Sequence, residues 1–227
     1  MSYHFELQDV HFSYPGSHAP VLCGVDLQLA AGERLCLNGP NGSGKSTLLQ
    51  LLVGLRRPTQ GTIKAFGTIP SSEADFRMVR CRAGYVFQDP DDQLFSPTVH
   101  EDVAFGPLNI GKSQEEAQAI VVRVLEQLGL SGFENRITYK LSGGERRLVS
   151  LATVLAMDPE VLILDEPTNA LDEHTTERLT RILLSLPQSM IIVSHDPGFR
   201  QAVRTREVFM QAGRVAVERT VASGARH

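Results

Sequence analysis

Apolar and polar positions alternate in two stretches near the amino terminus, first at Phe5, Leu7, Val10 and Phe12 and then at Val25, Leu27 and Leu29. A period of two predicts strands with one buried face. The turn Tyr14-Pro15-Gly16-Ser17 closes the first stretch. Ala31-Gly32-Glu33 turns the second into the apolar run Arg34-Leu35-Cys36-Leu37-Asn38. After Arg57-Pro58-Thr59-Gln60-Gly61 breaks the chain, residues 62–67 predict an edge strand, so the first third reads as mostly antiparallel sheet around one short helix. Solid apolar runs at 83–87, 161–164 and 190–193 predict short strands buried on both sides. Ala117, Ile120, Val121, Val124, Leu125 and Leu128 recur at helical spacing within residues 113–130. Further helices are predicted from Ser142 to about Leu155, over 173–184 and over 197–203. A hairpin of 207–210 against 214–217 follows, with 221–227 as a loose tail.

The composition shifts at Asp89-Pro90-Asp91-Asp92, which is acidic and carries a proline, ahead of a largely helical region. The organisation expected is one α/β domain, with residues 1–88 and 159–227 forming a core that bears an antiparallel β subdomain and residues 89–158 forming an inserted α-helical subdomain. At 227 residues the chain is long enough for a substantial core, and no internal repeat is visible. A net charge of −4 provides no basic face of the size nucleic-acid binding demands. Cys23, Cys36 and Cys81 lack metal-ligand spacing and read as reduced structural thiols. No basic segment followed by an apolar core opens the chain and no run is long enough to cross a bilayer. The expectation is a cytoplasmic protein that meets a membrane only through a partner, without inserting into it.

Candidate chemistry centres on Gly39-Pro40-Asn41-Gly42-Ser43-Gly44-Lys45-Ser46-Thr47, set between an apolar strand and an apolar helix. Glycines there let successive N–H groups converge, the helix start adds partial positive charge, and Lys45 and Ser46 complete a cradle for nucleotide phosphates and Mg²⁺. This is a P-loop, with all fixed positions of G-x-x-x-x-G-K-[ST] met. Three more apolar strands end in polar residues: Gln88 after Phe87, Asp165-Glu166 after Leu164, and His195 after Ser194. Ligands of open parallel sheets bind beyond the strands' carboxyl ends, so all four endings are expected to face one nucleotide. Asp165 matches the carboxylate that holds Mg²⁺ together with Ser46, and Glu166 is placed to polarise an attacking water. Ser142-Gly143-Gly144-Glu145 fits a capping box. Two glycines in that first turn also leave N–H groups bare, which suits close approach of an anion.

These motifs together resemble the nucleotide-binding subunit of ATP-binding cassette (ABC) transporters across essentially the whole chain. Residues 39–47 are similar to that family's phosphate motif, Gln88 to its glutamine loop, Leu141 to Glu145 to its signature, and Val161 to Glu166 to its Mg²⁺ and catalytic-glutamate strand. Asn169-Ala170-Leu171-Asp172 resembles the D-loop, His195 the switch histidine and Tyr14 the aromatic that stacks on adenine. The resemblance implies a P-loop NTPase core and a head-to-tail dimer in which Ser142, Gly143 and Gly144 of one subunit close over ATP held by the other subunit's Lys45. It implies that Glu166 activates water, that His195 contacts the γ-phosphate, and that Gln88 joins Ser46 and Asp165 at the metal and links the site to a membrane partner. Asp172 counts among the nucleotide-site residues. The chain departs from the family pattern at Glu145, where Gln is commoner, and at Asn169-Ala170 in the D-loop.

A narrower resemblance lies in Phe87-Gln88-Asp89-Pro90-Asp91-Asp92-Gln93-Leu94-Phe95 and in residues 97–107, which look like the ATPases of energy-coupling-factor importers, especially those for cobalt and nickel; some vitamin importers share the pattern. It implies that a polytopic membrane subunit docks near Gln88–Phe105 at the inner face of the membrane. The same Leu94, Phe95 and Val103 also suit packing within the subdomain. The dimer is either of this chain with itself or with a related subunit. Two further classes stay open: a soluble ABC ATPase acting in cofactor assembly or on another protein, and, less consistent with the charge and the lack of room for a coiled-coil insertion, a DNA-associated one.

Overall fold

A computed structural model describes residues 2–17 and 19–220. The predicted tail at 221–227 lies outside the described residues. Alternation in the first segment produces a three-stranded antiparallel sheet of order β2-β1-β4, from β1 (Tyr3–Phe12), β2 (Leu22–Ala30) and β4 (Gln60–Ala65). Phe5, Leu7, Val10 and Phe12 of β1 are buried. Asp9 in β1 takes a positive φ of 47° where the register slips, and Gly61 lies against its carbonyl, where a Cβ would come to 2.1 Å. Only glycine fits that crossing.

The solid apolar runs form the second sheet, of order β5-β6-β7-β3-β8-β9. Its members are β3 (Arg34–Asn38), β5 (Ala83–Val86), β6 (Val161–Asp165), β7 (Ser189–Val193), β8 (Arg206–Gln211) and β9 (Arg214–Thr220). All pairings are parallel except β8 with β9. Successive side chains go to opposite faces. Leu35, Leu37, Ile163 and Ile191 pack with the antiparallel sheet, α1 (Lys45–Leu52) and α2 (Glu73–Arg82), whereas Cys36, Leu164 and Ile192 pack beneath the other helices. These are α3 (Val99–Asn109), α4 (Gln114–Gln127), α5 (Gly143–Leu155), α6 (Glu173–Ser185) and α7 (Pro197–Val203). Cover on both faces is why these strands read as uninterrupted apolar runs.

The expected α6 and α7 lie within one residue of their predicted ends, α4 stops three residues short of its expected end, and the carboxy-terminal hairpin runs longer than expected, through Thr220. The apolar pattern did not delimit two helices. In α2 the buried apolar residues are Phe76 and Val79 alone, and the helix is launched by a capping box between Ser72 and Asp75. α3 is launched in the same way by Thr98 and Glu101 and carries Pro107 near its end. Among the described residues, no helix is long and apolar enough to cross a membrane.

Candidate functional site

Because β3, β5, β6 and β7 run parallel, their carboxyl ends share one edge of the sheet. At that edge lies a cavity of about 730 Å³ that receives Gln88, Glu166 and His195 together with the P-loop residues Asn41, Gly42, Gly44, Lys45, Ser46 and Thr47. The cap of α1 is Gly44, with φ of 100°, and no side chain accepts a bond from the first turn. No acidic residue sits in that turn, so its N–H groups and the positive end of the helix dipole are left for an anion. Gly39 and Pro40 lie outside the cavity lining, but their carbonyls accept bonds from Lys45 Nζ at 2.8 and 3.0 Å. A Cβ on Gly39 would stand 2.1 Å from the Met210 carbonyl oxygen. Burial lowers the Lys45 pKa, and the carboxylates of Glu166 and Asp165 oppose that shift. Ser43 Oγ is buried without a hydrogen-bond partner. On the far side Tyr14 hydroxyl and Thr47 Oγ1 are 3.0 Å apart, and the Arg56 guanidinium lies 4.5 Å from the Tyr14 ring centroid.

The acidic wall comes from the end of β6. Asp165 is buried, and its Oδ1 accepts a bond from Ser46 Oγ at 3.2 Å. Its Oδ2 accepts one from Tyr85 hydroxyl at 2.9 Å. Burial and then the Asp165 charge push the Tyr85 phenol above its ordinary pKa, so it remains a donor. Glu166 turns away from the strand at φ 46°, its own N–H donating to the Val193 carbonyl of β7 at 2.8 Å. Its Oε2 accepts the His195 N–H at 3.0 Å. Its Oε1 is buried without a hydrogen bond, 3.3 Å from His195 Nε2 but out of alignment with it. A buried carboxylate oxygen at a cavity wall that accepts no hydrogen bond retains acceptor capacity.

Ser46 hydroxyl and Asp165 carboxylate are hard oxygen donors side by side, which fits Mg²⁺ held through few protein ligands and the phosphates of a substrate. Among the described residues, no group of three or more His, Cys, Asp or Glu is placed to cage a metal by itself.

Gln88 is held by its backbone. The buried Arg147 of α5 donates to the Phe87 carbonyl at 2.7 Å and to the Gln88 carbonyl at 2.6 Å. Gln93 adds a second clamp, accepting from Phe87 N–H and donating to Ser150 carbonyl and Thr153 Oγ1. Ser142, Gly143 and Gly144 do not line the large cavity. Ser142 and Glu145 close a reciprocal capping box, and Gly143 instead borders an adjoining cavity of about 390 Å³. Asp172 is also outside the lining and caps α6 through Thr175. Asn169 and Ala170 border both cavities, Ala170 at φ 60°.

Sequence reasoning missed Tyr85 and Arg147. Tyr85 sits in a buried strand where an aromatic counts as core, and Arg147 sits in a helix whose other charged residues reach solvent. The one local signal was the long donor side chain at position 147 on a helix face shared with Leu151 and Val154.

The sequence profile of the ABC transporter family matches residues 22–169. The nickel import ATP-binding protein NikO of Rhodobacter capsulatus is 45% identical over 93% of this chain and 87% of its own length. The energy-coupling factor transporter ATP-binding protein EcfA of Methanothermobacter thermautotrophicus is 43% identical over 95% of this chain and 70% of its own length. Among solved structures, cbiO1 of Clostridium perfringens, part of the ABC transporter complex cbiONQ, superposes with a TM-score of 0.88 at 32% identity, covering 96% of this chain and 88% of that one. A dimeric ATP-binding cassette in a post-hydrolysis state with ADP and Pi gives 0.88 at 27% identity, over 97% of this chain and 100% of that one.

Proposed function

Because the chain belongs to the ABC transporter family and is an ATP-hydrolysing subunit of that kind, we propose that it energises a membrane importer of nickel or cobalt ions. ATP binding closes a head-to-tail dimer and hydrolysis resets it. The observation that carries the catalytic part is the buried Oε1 of Glu166, which accepts no hydrogen bond and lies beside His195 Nε2, on the wall of the cavity that also takes Lys45 and the open start of α1.

In this reading Tyr14 stacks on the base and the N–H groups from Gly42 to Thr47 receive the phosphates. Lys45 exchanges its two carbonyl partners for phosphate oxygens. Mg²⁺ held by Ser46 and Asp165, with Gln88 as a further ligand, would neutralise charge on the β- and γ-phosphate oxygens. Glu166 accepts the proton of a water whose oxygen bonds to the γ-phosphorus as the bond to the β–γ bridging oxygen breaks, leaving ADP and phosphate. His195, fixed to Glu166 through its N–H, faces the γ-phosphate. Ser142, Gly143 and Gly144 lie off their own cavity, which supports their serving the cavity of a second subunit, this chain or a related one.

Docking of a membrane subunit near Gln88–Phe105 is supported by Phe95 and Phe105, which are 67% and 50% exposed and pack edge-on at 4.8 Å. That subunit places the protein on the inner face of the membrane. The solute is argued from similarity to the nickel and cbiONQ ATPases, and transport specificity resides in the membrane partner. The test is to express Glu166→Gln in its native context, extract membranes gently with ATP and Mg²⁺, and identify what co-purifies by mass spectrometry. A polytopic membrane protein with a nickel- or cobalt-binding companion is expected. Recovery of soluble proteins alone would replace the importer with an assembly ATPase.

A further inference from the structure

The Tyr85 hydroxyl has one partner, Asp165 Oδ2 at 2.9 Å, eighty residues along the chain. Strand register explains the reach. Tyr85 of β5 stands opposite Ile163 of β6, so Asp165 is the next residue on the same face, within range of a phenol laid diagonally along the sheet. The ring is fixed in turn, half-buried against the core and tilted on Phe87 at 4.7 Å between centroids. The phenol on Oδ2 fixes the rotation of the carboxylate, and the other oxygen, Oδ1, faces the P-loop, accepting from Ser46 Oγ at 3.2 Å.

We propose that Tyr85 is a positioning residue for the metal carboxylate. By donating to Oδ2 it sets the rotation of Asp165 so that Oδ1, beside Ser46, is the oxygen presented to the divalent cation of the nucleotide. The proposal rests on the reading of Ser46 and Asp165 as the protein's share of the metal site. Outer partners of metal ligands commonly govern affinity by orienting the ligand. A phenylalanine at this position would keep the packing and lose the orientation.

The experiment is a Mn²⁺ titration followed by electron paramagnetic resonance, in the presence of a non-hydrolysable ATP analogue, on wild type, Tyr85→Phe and Asp165→Asn. The half-saturating Mg²⁺ for ATP hydrolysis is measured in parallel on wild type and Tyr85→Phe. Tyr85→Phe is expected to weaken Mn²⁺ binding about tenfold, the lower end for loss of an outer partner. It should raise half-saturating Mg²⁺ by a similar factor while leaving metal-free nucleotide affinity unchanged. A role confined to packing would lower the metal-free melting temperature and leave the Mn²⁺ titration as in wild type; that result overturns the proposal. If Asp165→Asn weakens Mn²⁺ binding while Tyr85→Phe does not, the proposal alone fails. If neither variant changes it, the assignment of Asp165 to the metal fails as well.

Discussion

The helices that begin at Lys45 and at Gly143 each follow a serine- and glycine-bearing turn, yet their own chain treats the two starts in opposite ways. The first is open: Gly44 caps it without a side chain and no acid occupies the first turn. The second is closed by Ser142 and Glu145, with Arg136 donating to Glu145 at 2.7 Å. The glycines differ correspondingly. Gly39 and Gly44 have positive φ, and a Cβ would come to 2.1 Å from the Met210 carbonyl at the first and 2.7 Å from Leu22 at the second. A Cβ on Gly143 would meet nothing within 4 Å, whereas one on Gly144 would crowd Thr175 at 2.8 Å. The P-loop glycines are therefore required by the fold. Gly143 is not: a side chain there would stand in open space, as the proposed approach of a second subunit requires.

The open start and the acid facing it are the more sensitive half of this contrast. Glu166→Gln should reduce steady-state ATP hydrolysis by about 10²- to 10⁴-fold, the range for loss of a general base. The same variant should elute as a dimer with ATP during gel filtration; rapid turnover would remove Glu166 from the role. Gly143→Ala sharpens the contrast most directly. Its unfolding free energy should stay level or rise by about 0.5 kcal/mol, as alanine replaces glycine in a helix. Hydrolysis should fall about a hundredfold, the loss typical of one blocked backbone donor. A stable and fully active variant would break the comparison. Gly39→Ala should instead cost about 1–3 kcal/mol in a urea titration, the usual range for overpacking, even before nucleotide is added.

The smallest effect concerns the closed start. The Ser142 N–H holds the Glu145 carboxyl below its usual pKa; burial is the next effect and opposes it, and the Arg136 side chain adds to the lowering. A depressed pKa contributes stability above the unfolded value, about 4.3, and that stability is lost as pH falls through the folded one. Wild type should thus lose a few tenths of a kcal/mol to about 1 kcal/mol over that descent, while Glu145→Gln, which can still close the box, should not. Equal pH profiles for the two proteins would show that the cap does not depend on charge.

The sequence carried the P-loop, the buried parallel strands and the convergence of their endings because each is a local pattern whose meaning is set by a few neighbours. α2 escaped because it is largely exposed, although its Ser72–Asp75 box was present to be read. Tyr85 and Arg147 escaped for a different reason. Each makes its contact across some sixty to eighty residues, so nothing in its own neighbourhood separates a core tyrosine or a surface arginine from one tied to the site. The quiet role of Asp172 as a cap was equally available from Asp-x-x-Thr at a helix start.

Every residue of β6 and β7 is buried, and both strands are hydrogen-bonded on either side. Amide deuteration should therefore be slowest there and should report opening of the whole molecule rather than of a segment. The roots of Glu166 and His195 are thus in the last part of the protein to exchange. Local fluctuations elsewhere, in the exposed α2 or around Phe95, need not loosen Glu166 from His195.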